Sequence, residues 1–260
     1  MSSALLTVSG LGYKAGSKIL LNDISFSIQV GELVGIIGPN GAGKSTLMKC
    51  LSGFQTYSCG DVLLKQQSLS TLSHLSRARQ LSYLPQYNEA AFPFSVLETI
   101  GLGFHVKQQS QVVSAKTIAS QTTQALALVG ISHLQDRLVT ELSGGEKQLV
   151  NFARLLVQDA PLMLLDEPTA SLDIGHESQL MNVLHQACRQ GKSALVAMHN
   201  LNTAAEFCDR LILVNQGQVM AVGKPNDVLS ETNIAYLYQD LVRVCQHPKS
   251  GNTIVSPYKR

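Results

Sequence analysis

No stretch of this 260-residue chain approaches the ~18–20 consecutive apolar residues that a membrane-spanning helix requires. It is therefore not expected to cross a bilayer on its own. Tryptophan is absent, aromatic residues make up 5%, and 15% charged residues leave a net charge of +2 with no basic cluster longer than a few residues. That removes the electrostatic case for a nucleic-acid partner. The five cysteines (Cys50, Cys59, Cys188, Cys208, Cys245) are scattered and odd in number, with no C-x-x-C pair. This argues against a disulfide or zinc framework and for a reduced, cytosolic protein. The first residues, Met1-Ser-Ser-Ala-Leu-Leu-Thr-Val8, lack the basic start and cleavable apolar core of a signal peptide. There is no internal repeat, low-complexity tract or heptad run.

What is present suits a folded domain: 45% hydrophobic residues, and a length fitting one large domain or one domain with a smaller lobe. The mean hydropathy of +0.10 is high for a chain without a span. An apolar docking surface and a large parallel sheet both account for it. Short β-like runs, Leu5 to Val8 and Ile24 to Val30, open the chain, with Gly10, Gly12 and Gly16 between them. Asp61 to Leu64 and Leu81 to Leu84 are further strand candidates. From 87 to 140 the character turns helical and glutamine-rich (Gln108, Gln109, Gln111, Gln121, Gln124), with helices expected over Val96 to Val106 and Ala115 to Val129. We read this stretch as a helical lobe inserted into an α/β domain. Leu162 to Asp166 and Ser193 to Met198 are buried-strand runs, each followed by helix, the pattern of a parallel sheet. Arg210 to Val214 and Gln218 to Val222 flank Gln216-Gly217 as a hairpin. The extension 223–260 reads as one or two short helices and then a polar tail.

The most informative stretch is Gly38-Pro39-Asn40-Gly41-Ala42-Gly43-Lys44-Ser45-Thr46, which fits G-x-x-x-x-G-K-[ST]. Glycines let the backbone turn tightly and bring its N–H groups against phosphate oxygens. A following helix, expected over Ser45 to Leu51, would point its N-terminus at the same anion. Lys44 would reach the β- and γ-phosphates, and the Ser45 hydroxyl would ligate Mg²⁺. A strand-like run, Leu33 to Ile37, precedes the loop as this site requires.

Two more motifs follow. Ser143 and Glu146, around Gly144 and Gly145, have the S-x-x-E spacing of a capping box. They are equally compatible with a second phosphate site at a helix N-terminus. Asp166 and Glu167 end an apolar run, where Asp166 could hold Mg²⁺ and Glu167 could polarise a water in line with the γ-phosphate. An acidic pair there is also a common helix cap.

In this order, over about Leu5 to Pro248, these motifs resemble the ATP-binding subunit of an ABC transporter. The resemblance implies a P-loop NTPase fold with a parallel core sheet, an N-terminal antiparallel β subdomain and an inserted helical subdomain. It implies ATP and Mg²⁺ as ligands. Tyr13 matches the aromatic that stacks on adenine. Gln86 matches the glutamine that touches Mg²⁺ and signals to the membrane subunit. Ser171-Leu172-Asp173 matches the loop crossing between subunits, and His199 the switch histidine at the γ-phosphate. By this resemblance Glu167, His199 and Gln86 form the expected catalytic group, while Tyr13 and Asp173 join Gly38 to Thr46 and Ser143 to Gly145 in binding the nucleotide. Two positions depart from the family pattern: Asn200 stands where Asp is common, and Leu149 where Arg is common.

The resemblance further implies a head-to-tail homodimer, Gly38 to Thr46 of one chain facing Ser143 to Gly145 of the other across two ATPs. It implies two copies of a separate permease, served by a periplasmic binding protein, with this chain peripheral on the cytoplasmic face of a bacterial inner membrane. Ala91-Phe-Pro-Phe-Ser-Val96 and the segment Tyr236 to Pro248 look like the ATPase subunit of bacterial haem (hemin) importers. Those belong to the group that takes up iron–siderophores and cobalamin, and importers of these or other metal chelates are the alternative. Phe92 and Phe94 suit either a permease-facing patch or the core of the lobe. Haem would not touch this chain. His74, His105, His133, His176, His185 and His247 show no haem-attachment spacing. A soluble ABC ATPase acting on DNA or ribosomes is a remoter reading, disfavoured by the single motif set. A purely assembling module is disfavoured by the intact Lys44, Asp166 and Glu167.

Overall fold

The computed structural model describes residues 4–86, 93–109, 112–238, 242–249 and 251–257. Ala91, Phe92, Gln111 and the middle of the segment Tyr236 to Pro248 (239–241) lie outside them. The chain opens with β1 (Leu6–Ala15) and β2 (Lys18–Ile28), an antiparallel pair. Next come β3 (Leu33–Ile37), buried at every position, and α1 (Lys44–Ser52). β4 (Cys59–Leu64) and the two-residue β5 (Gln67–Ser68) complete a four-stranded antiparallel sheet ordered β2-β1-β4-β5. The short α2 (His74–Ala78) leads to β6 (Leu81–Leu84).

The stretch after β6 is helical: α3 (Val96–Gly101), α4 (His105–Gln108), α5 (Ala115–Leu128) and then α6 (Gly144–Gln158). The single helix expected over Val96 to Val106 is instead broken by a 3₁₀ turn, Leu102–Phe104. The cause is Gly103. A Cβ there would lie 2.5 Å from the Arg154 carbonyl oxygen, so the chain comes right against α6 at this point. That contact, with Gly101 beside it, costs helical regularity and lets Phe104 be fully buried.

The remaining elements are β7 (Leu162–Asp166), α7 (Ile174–Arg189), β8 (Ser193–Ala197), α8 (Leu201–Phe207), β9 (Arg210–Asn215) and β10 (Gln218–Gly223). They build a six-stranded sheet ordered β10-β9-β3-β8-β7-β6, parallel throughout except for β10. Gln216 (φ 47°) and Gly217 (φ 76°) both adopt the left-handed conformation that a tight hairpin turn demands. Alternation along the parallel strands splits the core in two. Met163, Leu165, Ala194 and Val196 face the helices, while Leu162, Leu164, Leu195 and Ala197 face α1 and the antiparallel sheet. The α/β fold expected from the motifs is thus observed, and the high hydropathy has its place in a sheet buried on both faces.

The C-terminal expectation needs correction. After α9 (Pro225–Val228) and α10 (Glu231–Tyr238) the chain forms β11 (Val242–Gln246) and β12 (Thr253–Pro257), an antiparallel hairpin rather than a polar tail. Thr253 and Val255 are buried, and the hairpin lies on α8. Alternation too short to stand out in the sequence becomes a strand once a surface exists to cover. Among the described residues, no helix is long and apolar enough to cross a membrane.

Candidate nucleotide site

The loop Gly38 to Thr46 joins β3 to α1. Gly38 has φ +149°, and a Cβ on it would fall 2.0 Å from the Val214 carbonyl oxygen of β9. Gly43 has φ +105°, with the Leu20 carbonyl oxygen of β2 only 3.1 Å from where a Cβ would be. Both positions therefore require glycine to let the loop pass between strands. No side chain caps α1, which leaves its first N–H donors to a ligand. Lys44, 5% exposed, donates to the Gly38 and Pro39 carbonyl oxygens at 2.8 and 3.3 Å. Burial pulls its pKa below the ordinary lysine value, while the Glu167 and Asp166 carboxylates push the other way. An ammonium held by two neutral carbonyls in a desolvated place has unused capacity for an anion.

Opposite the loop stands the end of β7. Ser45 Oγ donates to Asp166 Oδ1 at 3.0 Å, and Asp166 is 1% exposed. Its burial raises its pKa, the Ser45 hydrogen bond offsets part of that rise, and the Glu167 charge adds to it. Glu167 occupies the left-handed region (φ 52°), rare for a side chain of its size, and its N–H donates to the Ala197 carbonyl of β8 at 3.0 Å. Its carboxylate takes a hydrogen bond from Gln86 Nε2 on Oε2 and one from His199 Nε2 on Oε1, each at 2.5 Å. The His199 bond requires the tautomer protonated at Nε2 or the imidazolium. Gln86, Glu167 and His199 follow β6, β7 and β8, neighbours in the parallel sheet. They converge because ligands of such sheets meet the carboxyl ends of the strands.

These groups line one cavity of about 430 Å³ with Asn40 to Thr46, and Lys18 and Leu20 complete its wall. Sequence reasoning missed those last two. Period-2 alternation in β2, which turns Leu20 away from buried Leu21, was the available signal. Tyr13 is not brought to this cavity. It pairs opposite Leu21, packs on the same core cluster, and its hydroxyl accepts from Gln55 Nε2 at 2.5 Å. Residues opposite one another in an antiparallel pair share a face, and Leu21 faces the core.

A second cavity, of about 510 Å³, is lined by Ser143, Gly144, Gly145, Leu172, Asp173 and His176 among others, and by none of the phosphate-loop residues. Both halves of the capping box are present: Glu146 N–H donates to Ser143 Oγ at 3.3 Å, and Ser143 N–H to Glu146 Oε2 at 2.8 Å. The Ser143 N–H and hydroxyl beside it hold the Glu146 carboxyl below its usual pKa. Gly145 lies against the Ser171 carbonyl, 2.8 Å from where a Cβ would sit. Asp173 caps α7, accepting from His176 N–H and facing His176 Nδ1, both at 2.9 Å. The two departures also find places. Leu149 is buried in the helical core, and Asn200 caps α8 by accepting from the N–H groups of Asn202 and Thr203.

Comparison with known proteins agrees with this geometry. The family profile described as ABC transporter matches residues 21–170. A hemin import ATP-binding protein of Rhodococcus jostii is 36% identical over 252 residues, covering 97% of this chain and 86% of that protein. A cobalamin import ATP-binding protein of Halobacterium salinarum is 36% identical over 253 residues, covering 97% of this chain but 63% of that protein. Among solved structures, a chain of an inward-facing transporter assigned to the metal-chelate type superposes with TM-score 0.82 over 99% of both chains at 24% identity, a likeness of fold. With its phosphate loop, acidic strand end and fold in agreement, the chain belongs to the ABC transporter family, as a nucleotide-binding member.

Proposed function

We propose that this chain is the ATP-hydrolysing subunit of a bacterial importer, driving haem uptake through a separate permease. The observation that carries the ATPase reading is the convergence of Lys44, Ser45, Glu167, Gln86 and His199 on one cavity, with Asp166 buried behind it and bonded to Ser45. Lys44 and the loop N–H groups neutralise and orient the triphosphate. Glu167 meets Gln86 on one oxygen and His199 on the other, and each oxygen keeps a second lone pair for a water. It removes a proton as that water's oxygen bonds to the γ-phosphorus and the bond to the ADP oxygen breaks. His199 then contacts the γ-phosphoryl group.

The residues present also fit Mg²⁺. The Ser45 hydroxyl and the desolvated Asp166 carboxylate already pair, and with the Gln86 amide oxygen they offer the hard oxygen donors that this ion takes. When bound it supplies charge neutralisation at the phosphates.

Ser143 to Gly145 share no cavity with the loop of their own chain. That supports a head-to-tail homodimer in which each completes the other's ATP site, with Asp173 at the crossing. The boundaries proposed are a single ATP-binding domain with 87–140 as its helical subdomain and 223–260 as its extension. For the permease we favour the face around Tyr83. Phe54, 80% exposed, packs its ring on Tyr83, and Leu102 is exposed beside it. The neighbouring cavity holds Arg154, whose charge is disfavoured by burial, so an acidic permease group complements it. Phe94 is 43% exposed, which favours the docking reading over the core reading for that residue.

Haem rests on the relatives' names and on the segments quoted above; cobalamin is the second reading, from the equally identical relative. The test is ATPase activity of this chain assembled with its co-encoded permease in liposomes. The binding protein is supplied empty, then loaded with haem, a ferric siderophore or cobalamin. Stimulation by the haem-loaded protein alone is expected, and stimulation by another ligand alone discards the haem assignment.

A further inference from the structure

The helix that follows His199 is too short to hold itself. Seven-residue α8 lies below the length at which an isolated helix is even marginal in water, so its axis is set by what it packs on. One side is the core, through buried Ala204 and Ala205. The other is the C-terminal hairpin. Asn202 Nδ2 donates to the Val255 carbonyl at 3.2 Å, and Val255 N–H donates back to Asn202 Oδ1 at 2.8 Å. The side-chain amide thus exchanges two bonds with one residue's backbone, as a neighbouring strand would. At the far end of α8, Asn252 Nδ2 donates to Glu206 Oε2 at 2.7 Å. The hairpin is itself anchored where Thr253 donates its N–H and its hydroxyl to Asn226 Oδ1, at 3.2 and 2.7 Å. Asn202 also donates its backbone N–H to Asn200 Oδ1, the residue next to His199.

We propose that Asn202 is a positioning residue: it straps the first turn of α8 to the C-terminal hairpin and so holds His199 at Glu167. This rests on the reading of His199 as a contact of the γ-phosphoryl group. The reason is leverage. His199 is 44% exposed on its side chain and meets Glu167 through a single bond. With its ring partly in solvent, its place follows the backbone that carries it. Displacements near 1 Å at such a group cost up to about 100-fold in turnover.

The test is a double-mutant cycle in the full chain assembled with its permease, reading phosphate release, ATP affinity and amide hydrogen exchange across residues 199–203. Asn202→Ala should lower kcat about 10- to 100-fold, leave KM and Kd for ATP within about twofold, and speed exchange in that segment. In a His199→Ala background the same substitution should slow turnover no further, because the group it positions is gone. A variant that merely loosened the fold would lose the same factor in both backgrounds. If Asn202→Ala fails to fold, Asn202→Asp keeps the acceptor for Val255 N–H and lacks the donor. It should give an intermediate loss with the same dependence on His199. Wild-type kcat in a folded Asn202 variant, or an equal loss in both backgrounds, overturns the positioning role and leaves the ATPase reading intact. A wild-type chain that hydrolyses no ATP overturns both.

Discussion

Glu167→Gln isolates the proton-accepting function of the site with little change of shape. Glu167 is 8% exposed and accepts one hydrogen bond on each oxygen, from Gln86 and His199. A glutamine can keep both only if its oxygen faces Gln86 and its NH₂ faces His199 in the other tautomer. Two charge-assisted bonds of about 1.5–3 kcal/mol each would become two neutral ones of about 0.5–1.5. The fold should therefore lose roughly 2–3 kcal/mol locally and stay assembled. Turnover should suffer more. A positioned general base contributes about 10²–10⁴-fold, which is about 3–5 kcal/mol at ~1.4 kcal/mol per tenfold. ATP binding should hold or tighten, since a negative charge beside the γ-phosphate is removed while Lys44 is untouched. The assay is phosphate release alongside binding of a fluorescent ATP analogue, with light scattering to detect an ATP-trapped dimer. Turnover within about tenfold of wild type would sink the assignment of Glu167 as base, because no general base in this range is lost so cheaply.

Three other outcomes are expected. Ser143→Arg should leave nucleotide affinity at Lys44 unchanged and abolish ATP-driven dimerisation in sedimentation. Normal dimerisation by that variant would contradict the head-to-tail arrangement. Asp166→Asn should raise the melting temperature at neutral pH while removing turnover. Burial raises the Asp166 pKa above 3.8, so the unfolded chain gives up this proton first and stability falls as pH rises through that window. The gain should appear as about 2–4 °C per kcal/mol relieved, and it should vanish at acid pH. A variant that melts below wild type at pH 7 would show that the Ser45 bond outweighs the burial cost. Thiol labelling of the folded chain at neutral pH should modify exposed Cys59 and Cys245 quickly. Burial pushes the Cys50 thiol up to about 11 and that of Cys188 to about 12, and raises Cys208 as well. These three should react only on denaturation, and a third fast thiol would contradict their burial.

How much of this was legible in advance depends on the distance over which each feature is decided. The phosphate loop was legible because its requirements are local. Gly38 and Gly43 take φ of +149° and +105°, conformations that favour glycine before the distant Val214 and Leu20 carbonyls add their own demand, and Lys44 opens the helix that follows. The β9–β10 hairpin was legible for the same reason, through Gln216-Gly217. The break at Leu102–Phe104 was not, because it is imposed by the Arg154 carbonyl, some fifty positions away. Nor was the placement of Tyr13. An aromatic next to a glycine-flanked turn is compatible with either face of a strand, and pairing with Leu21 sets the half-buried Tyr13 ring against the core cluster.

By itself, then, the sequence determined that this chain holds a nucleotide and folds as an α/β domain around a parallel sheet. Those properties follow from residue types at short spacing and from apolar runs that can only be buried strands. Tertiary structure alone decided that Gln86, Glu167 and His199, spread over more than a hundred positions, meet at one carboxylate. It alone decided that Ser143 to Gly145 open onto a different cavity from the loop, and that Val255 of the C-terminal hairpin bonds the helix behind the histidine. The physical reason is common to all three. Strand order in the sheet, and the surfaces left uncovered once it forms, are set by burial summed over the whole chain, which no local window of residues contains.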